Sequence, residues 1–157
     1  MINHFDVISS EEYEDLKNAI SWITILIAGA DGKIDTSEIE WAQKLTQIRS
    51  YSIPGELVNY YKDVGTDFHE RLHGIIEAMP EDNQKREEIL ISKLTGINPI
   101  LKKLENHIGA EMYNSFRTFA KHVAKASGGF MRFFSISLEE RNLMELPMIH
   151  PILEDKA

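Results

Sequence analysis

The sequence predicts an all-α fold: a single-domain helical bundle of about seven to eight helices, with two pseudo-repeated helix–loop–helix halves. Three observations point there. Apolar residues recur at three- and four-residue spacing through most of the chain. Only 5 Pro and 9 Gly occur in 157 residues, so long stretches can stay helical. No segment shows the two-residue alternation of a half-buried strand, and no linker divides the chain.

Each element follows in order. Ser9 or Ser10 precedes Glu11-Glu12, a helix start. Tyr13, Leu16, Ile20, Ile23 and Ile27 then mark one face, so Glu11 to Ala30 reads as a long buried helix. Asp31-Gly32 stops it. Asp35 starts a second helix with Ile39, Ala42, Leu45 and Ile48 inward. Pro54 opens a third through Val64. Thr66 caps a fourth carrying Phe68, Leu72, Ile75, Ile76 and Met79, and Pro80 follows. A fifth spans about Asp82 to Thr95, with Ile89, Leu90 and Leu94 inward. Gly96 and Asn98-Pro99 break it, with Gly past the end, Asn as cap and Pro in the first turn. Leu101, Leu104, Ile108, Met112, Phe116, Phe119 and Val123 continue one stripe, as one very long helix or two meeting near Gly109. Ser127-Gly128-Gly129 ends it, and Ser137 starts the last helix. The tail from Pro147 to Ala157 is expected to lie extended along the core.

Composition narrows the function classes. Hydrophobic residues make up 43%, enough for a real core. The formal net charge of -8 argues against nucleic-acid binding, which draws on neutralised phosphates, and against anionic membrane surfaces. There is no cysteine, which removes disulfides, thiolate nucleophiles and Cys-ligated zinc and fits a cytoplasmic location. The first residues show no signal peptide. The most apolar run, Ala19 to Ala30, is too short for stable membrane insertion, which takes about 20 apolar residues.

The first and last helix pairs match. Ile23-x4-Ala28-Gly29-Ala30-Asp31-Gly32 aligns with Phe119-x4-Ala124-Lys125-Ala126-Ser127-Gly128, and Ile34-Asp35-Thr36-Ser37-Glu38 with Ile136-Ser137-Leu138-Glu139-Glu140. The half-motifs span residues 11–49 and 99–146, with the tail at 147–157. The segment Ala28-Gly29-Ala30-Asp31-Gly32-Lys33-Ile34-Asp35-Thr36-Ser37-Glu38 resembles the signature of the TerB-like family, named for bacterial tellurite resistance. The likeness is sharp at residues 23–45 and weaker at 119–146. It implies an all-helical fold, a link to stress responses and an acidic metal-binding site at Asp31, Asp35 and Glu38. In the second half Glu140 is the counterpart of Glu38, but Ser127 stands where an Asp is expected.

Three constellations carry candidate chemistry. Asp31, Asp35 and Glu38 converge at a tight turn and suit a hard cation, Ca²⁺ or Mg²⁺ before Zn²⁺. The same residues read structurally as a cap: Gly32 ends a helix, and Asp35 with Glu38 forms a capping box. His69-Glu70-Arg71-Leu72-His73 matches the H-E-x-x-H of zinc peptidases, with two ligands one turn apart and Glu as general base. Arg71 stands where those enzymes are apolar, and Glu87, Glu88 and His107 are candidate third ligands. The alternative is a rim of polar residues around Phe68, Leu72 and Ile76. Phe130, Met131, Phe133 and Phe134 form an apolar loop, either a lid on the core or a contact for a protein partner or self-association. His4, His107, His122 and His150 have no spacing that suggests a site. The expected function is a non-catalytic TerB-like module acting through protein interaction, with a zinc hydrolase or a docking module as alternatives.

Overall fold

The computed structural model describes residues 4–29, 36–52, 55–125 and 142–152; the side chains of 36–38 and 51–52 are not described. It is an all-helical bundle, without strands among these residues. The helices are α1 (Ser10–Ala28), α2 (Thr36–Ser52), α3 (Val58–Thr66), α4 (Phe68–Ala78), α5 (Asn83–Thr95), α6 (Asn98–Lys103) and α7 (Asn106–Ala124). None of them is long and apolar enough to cross a membrane.

α1 begins with a capping box. The Ser9 hydroxyl accepts from the Glu12 amide at 3.1 Å, and the Glu12 carboxylate accepts from the Ser9 amide at 2.9 Å. From Ala19 to Ala28 every residue of α1 is buried. A helix that is buried on all sides must sit at the centre, and α1 packs against α2, α3, α4, α5 and α7. α7 has the same length as α1 and buries the predicted stripe through Ile108, Met112, Phe116, Phe119 and Val123. Ala28 and Ala124, matched in the sequence, are each the last residue of their helix. The rest of the echo, Ser127 to Glu140, lies outside the described residues.

Five expectations are corrected. Thr66 does not cap α4; it is the last residue of α3, with its hydroxyl on the Lys62 carbonyl at 2.9 Å. The inward face of α5 runs through Arg86, Leu90 and Leu94, spaced four apart, which turns Ile89 outward at 37% exposure. Asn98 is not a cap but the first residue of α6. Its side chain holds the tail, donating to the Met148 carbonyl at 2.9 Å and accepting from the His150 amide at 2.7 Å. The break in the long stripe falls at Leu104–Glu105, where Leu104 is extended, and not at Gly109. Gly109 instead permits a close crossing: a Cβ there would sit 3.0 Å from the Leu101 carbonyl oxygen and 3.2 Å from Ile152. The described part of the tail does lie on the core, with Ile149 buried, but in turns rather than fully extended.

Two buried cations were not foreseen, Arg49 and Arg86, each 7% exposed. Among the described residues the hydrogen-bond partners of Arg49, on α2, are all neutral. It donates to the Tyr61 hydroxyl, the Ser115 carbonyl and hydroxyl, and the Thr118 hydroxyl, at 2.9–3.2 Å. Its guanidinium also lies over the Tyr61 and Phe119 rings. Among the described residues no carboxylate pairs with it. The fork ties α2 to α3 and α7. His122 lies at its edge, 3.4 Å from Arg49, and its pKa is lowered by burial and by the charges of Arg49 and Lys125.

Three outcomes are expected. Gly109→Ala should lose about 1–3 kcal/mol in urea unfolding through the forced contact. Gly74→Ala, in α4 with nothing within 4 Å of the new Cβ, should gain about 0.5–1 kcal/mol. For His122 the unfolded chain binds its proton more readily than the folded one. Its contribution to stability is therefore full above pH 6.5 and is lost as pH falls toward the lowered folded pKa. Urea midpoints measured from pH 7.5 to 5 should fall less steeply in His122→Gln than in the native chain.

Candidate metal centre

The break at Leu104–Glu105 sets up the one place where three potential metal ligands meet among the described residues: His4, Glu105 and His107. Leu104 is buried and extended, so the helix is interrupted and α7 starts two residues later, at Asn106. Glu105 takes the cap position of α7 without a side-chain cap bond, which leaves its carboxylate free to face sideways. His107 is the second residue of α7. His4 arrives from the turn that precedes α1.

The geometry is close to that of a bound ion. The Glu105 Oε2 lies 3.7 Å from the His107 Nδ1 and 4.0 Å from the His4 Nδ1. One ligand atom from each residue falls within 4.8 Å of the others. Metal–ligand bonds of 2.0–2.2 Å in a tetrahedron place ligand atoms about 3.4 Å apart, so closure needs small side-chain movements only. The His4 Nδ1 is buried and has no hydrogen-bond partner. A buried polar atom without a partner is costly, and a metal ion would satisfy it.

The other nitrogen of His107 is also accounted for. Its Nε2 faces Glu56 Oε1 at 3.5 Å, from the turn before α3. A ligating histidine characteristically donates its second ring N–H to a carboxylate, which fixes the tautomer and raises ligand basicity. Nδ1 toward the cluster and Nε2 toward Glu56 is that arrangement. The His4 and His107 rings meet edge to face with centroids 5.9 Å apart. The donor set is two imidazoles and one carboxylate. It favours Zn²⁺ and its transition-metal neighbours over Ca²⁺ or Mg²⁺, which take oxygen. Three protein ligands leave a fourth position open, and the side chains of Glu105 and His107 are about half exposed.

The sequence-predicted sites stand differently. Asp31 and Asp35 lie outside the described residues, as does the side chain of Glu38. Phe130, Met131, Phe133, Phe134 and Glu140 also lie outside them. His69, Glu70 and His73 are all exposed on α4. The two rings do face each other, with centroids 4.4 Å apart. Among the described residues no third ligand joins them; His107 belongs to the other cluster. Arg71 serves packing between helices: it bonds Glu14 and Asn18 of α1 and Asp67 of its own turn. His4 and His107, which spacing did not single out, are the histidines the fold brings together. Glu105-x-His107 was the only linear trace of the cluster, and it is common by chance.

Comparison with family models, curated proteins and solved structures finds no match to this chain.

Proposed function

We propose that this chain is a non-catalytic helical module that binds a transition-metal ion of the zinc class at His4, Glu105 and His107, with Glu56 orienting His107. The observation that carries the reading is the buried, unpartnered His4 Nδ1 facing a carboxylate and a second imidazole. The resemblance to the TerB-like family rests on residues 23–45 and is compatible with an all-helical module in stress physiology. Protein interaction is the expected mode of action for such a module, and the open fourth position gives an incoming side chain a place to bind. A second reading, a zinc hydrolase at His69, Glu70 and His73, draws on the facing rings of that pair.

Thermal unfolding with added ZnCl₂ tests the assignment. Zinc at a hundredfold excess over its dissociation constant should stabilise the native chain by about 2.7 kcal/mol. His4→Ala and His107→Ala should each lose the shift, and His69→Ala should keep it. A shift lost in His69→Ala and kept in His4→Ala would move the site to α4 and favour the hydrolase. Glu56→Gln should retain binding but weaken it about 10–100-fold, read by competition with a chromogenic chelator. Native-like affinity in Glu56→Gln would remove Glu56 from the site.

A further inference from the structure

The site reaches across the fold. His4 lies in the turn before α1, and Glu105 and His107 at the α6–α7 corner. An ion held by all three therefore fastens the turn of residues 4–9 to the bundle. Phe5 is the buried anchor of that turn, with Ile8 packed partly against the core beside it. Phe5 is buried, its ring lies 5.8 Å from Tyr60 in a stacked arrangement and 5.3 Å from Tyr13, and the Ile8 amide closes the turn on the Phe5 carbonyl. The pocket that receives Phe5 is itself fixed. Tyr60 donates to the Leu16 carbonyl at 2.5 Å, and Tyr13 donates to Asp63 at 2.5 Å.

We infer that the metal and Phe5 form a two-point latch on the turn of residues 4–9, so that metal occupancy controls how firmly this turn is docked. The inference rests on the metal-site reading above and adds its regulation. The physical basis is linkage. His4 is one residue from Phe5, so the ion meets a complete ligand set only while Phe5 is seated. Apparent affinity scales with the fraction of molecules in that state. Coupling is reciprocal: what seats Phe5 tightens metal binding, and metal binding holds Phe5 in place by the same factor. Phe5 is thus a positioning residue for a metal it does not touch. The turn also lines a groove together with Tyr13 and Asp63, and Phe5 packs on the Tyr13 and Tyr60 rings, so its release would uncover them.

Two measurements on the full chain test this, both with ZnCl₂ against EDTA. Amide hydrogen exchange at residues 5–9 should slow at least tenfold with zinc, beyond any change in the centre of α1. Zinc affinity in Phe5→Ala should fall at least tenfold while the unfolding temperature without metal stays within reach of native. Should Phe5→Ala fail to fold, Phe5→Leu takes its place, with a smaller loss in the same direction. Native-like zinc affinity in the Phe5 variant, or unchanged exchange at residues 5–9 in a chain that binds zinc through His4, would overturn the latch and leave the site standing. No zinc binding by the native chain would instead overturn the site itself, and the latch with it.

Discussion

Five of the six other helices among the described residues are arranged to cover α1. A typical helix needs one apolar stripe buried, but from Ala19 to Ala28 α1 has no side that faces water. Five helices meet it for that reason. Even its polar side chains are absorbed: the Thr24 hydroxyl folds back to the Ile20 carbonyl at 2.7 Å, and the buried Ser21 hydroxyl finds no partner. A back-bonded threonine keeps its hydroxyl satisfied without leaving the core.

Packing around an apolar rod does not by itself set the register of its neighbours, because dispersion contacts are individually weak and forgiving. Directional bonds do that. Arg49 supplies a planar fork whose partners come from α3 and α7, and its two neighbouring rings stabilise the charge that no carboxylate among the described residues offsets. Asn98 does the same at the other end, using both halves of its amide on the tail. Losing either side chain would remove several hydrogen bonds between separate segments at once.

The helical face of the sequence was legible because periodicity is local. Tyr13 through Ile27 and Leu101 through Val123 fall where their spacing put them, and the Ser9 and Asp82 starts are real caps. Errors came where tertiary contacts decide between similar local choices. Arg86 lies one helical turn before Leu90 and Ile89 one residue before it, and hydropathy alone assigns the wrong one to the core; the long Arg side chain reaches Asn83 and the Glu81 carbonyl while its stem is covered. Gly109 looked like the break because glycine weakens a helix, yet its use is to let Ile152 approach. The candidate site was illegible for a stronger reason: His4 and His107 are more than a hundred positions apart, and no spacing rule spans that distance.

The two histidine pairs make the contrast concrete. His69 and His73 are placed by one helix turn, so a motif search finds them, and an ion there would restrain only α4. Their surroundings add no third ligand among the described residues and no bond that orients either ring. His4 and His107 are placed by the whole fold, and around them stand a shared carboxylate, an orienting carboxylate and a buried nitrogen without a partner. A site that exists only in the folded chain binds metal with free energy that is also folding free energy. An ion at His4, Glu105 and His107 would therefore act on the bundle as a clamp between the turn before α1 and the α6–α7 corner. The surface pair on α4 has no such leverage, because its geometry is already present in an isolated helix.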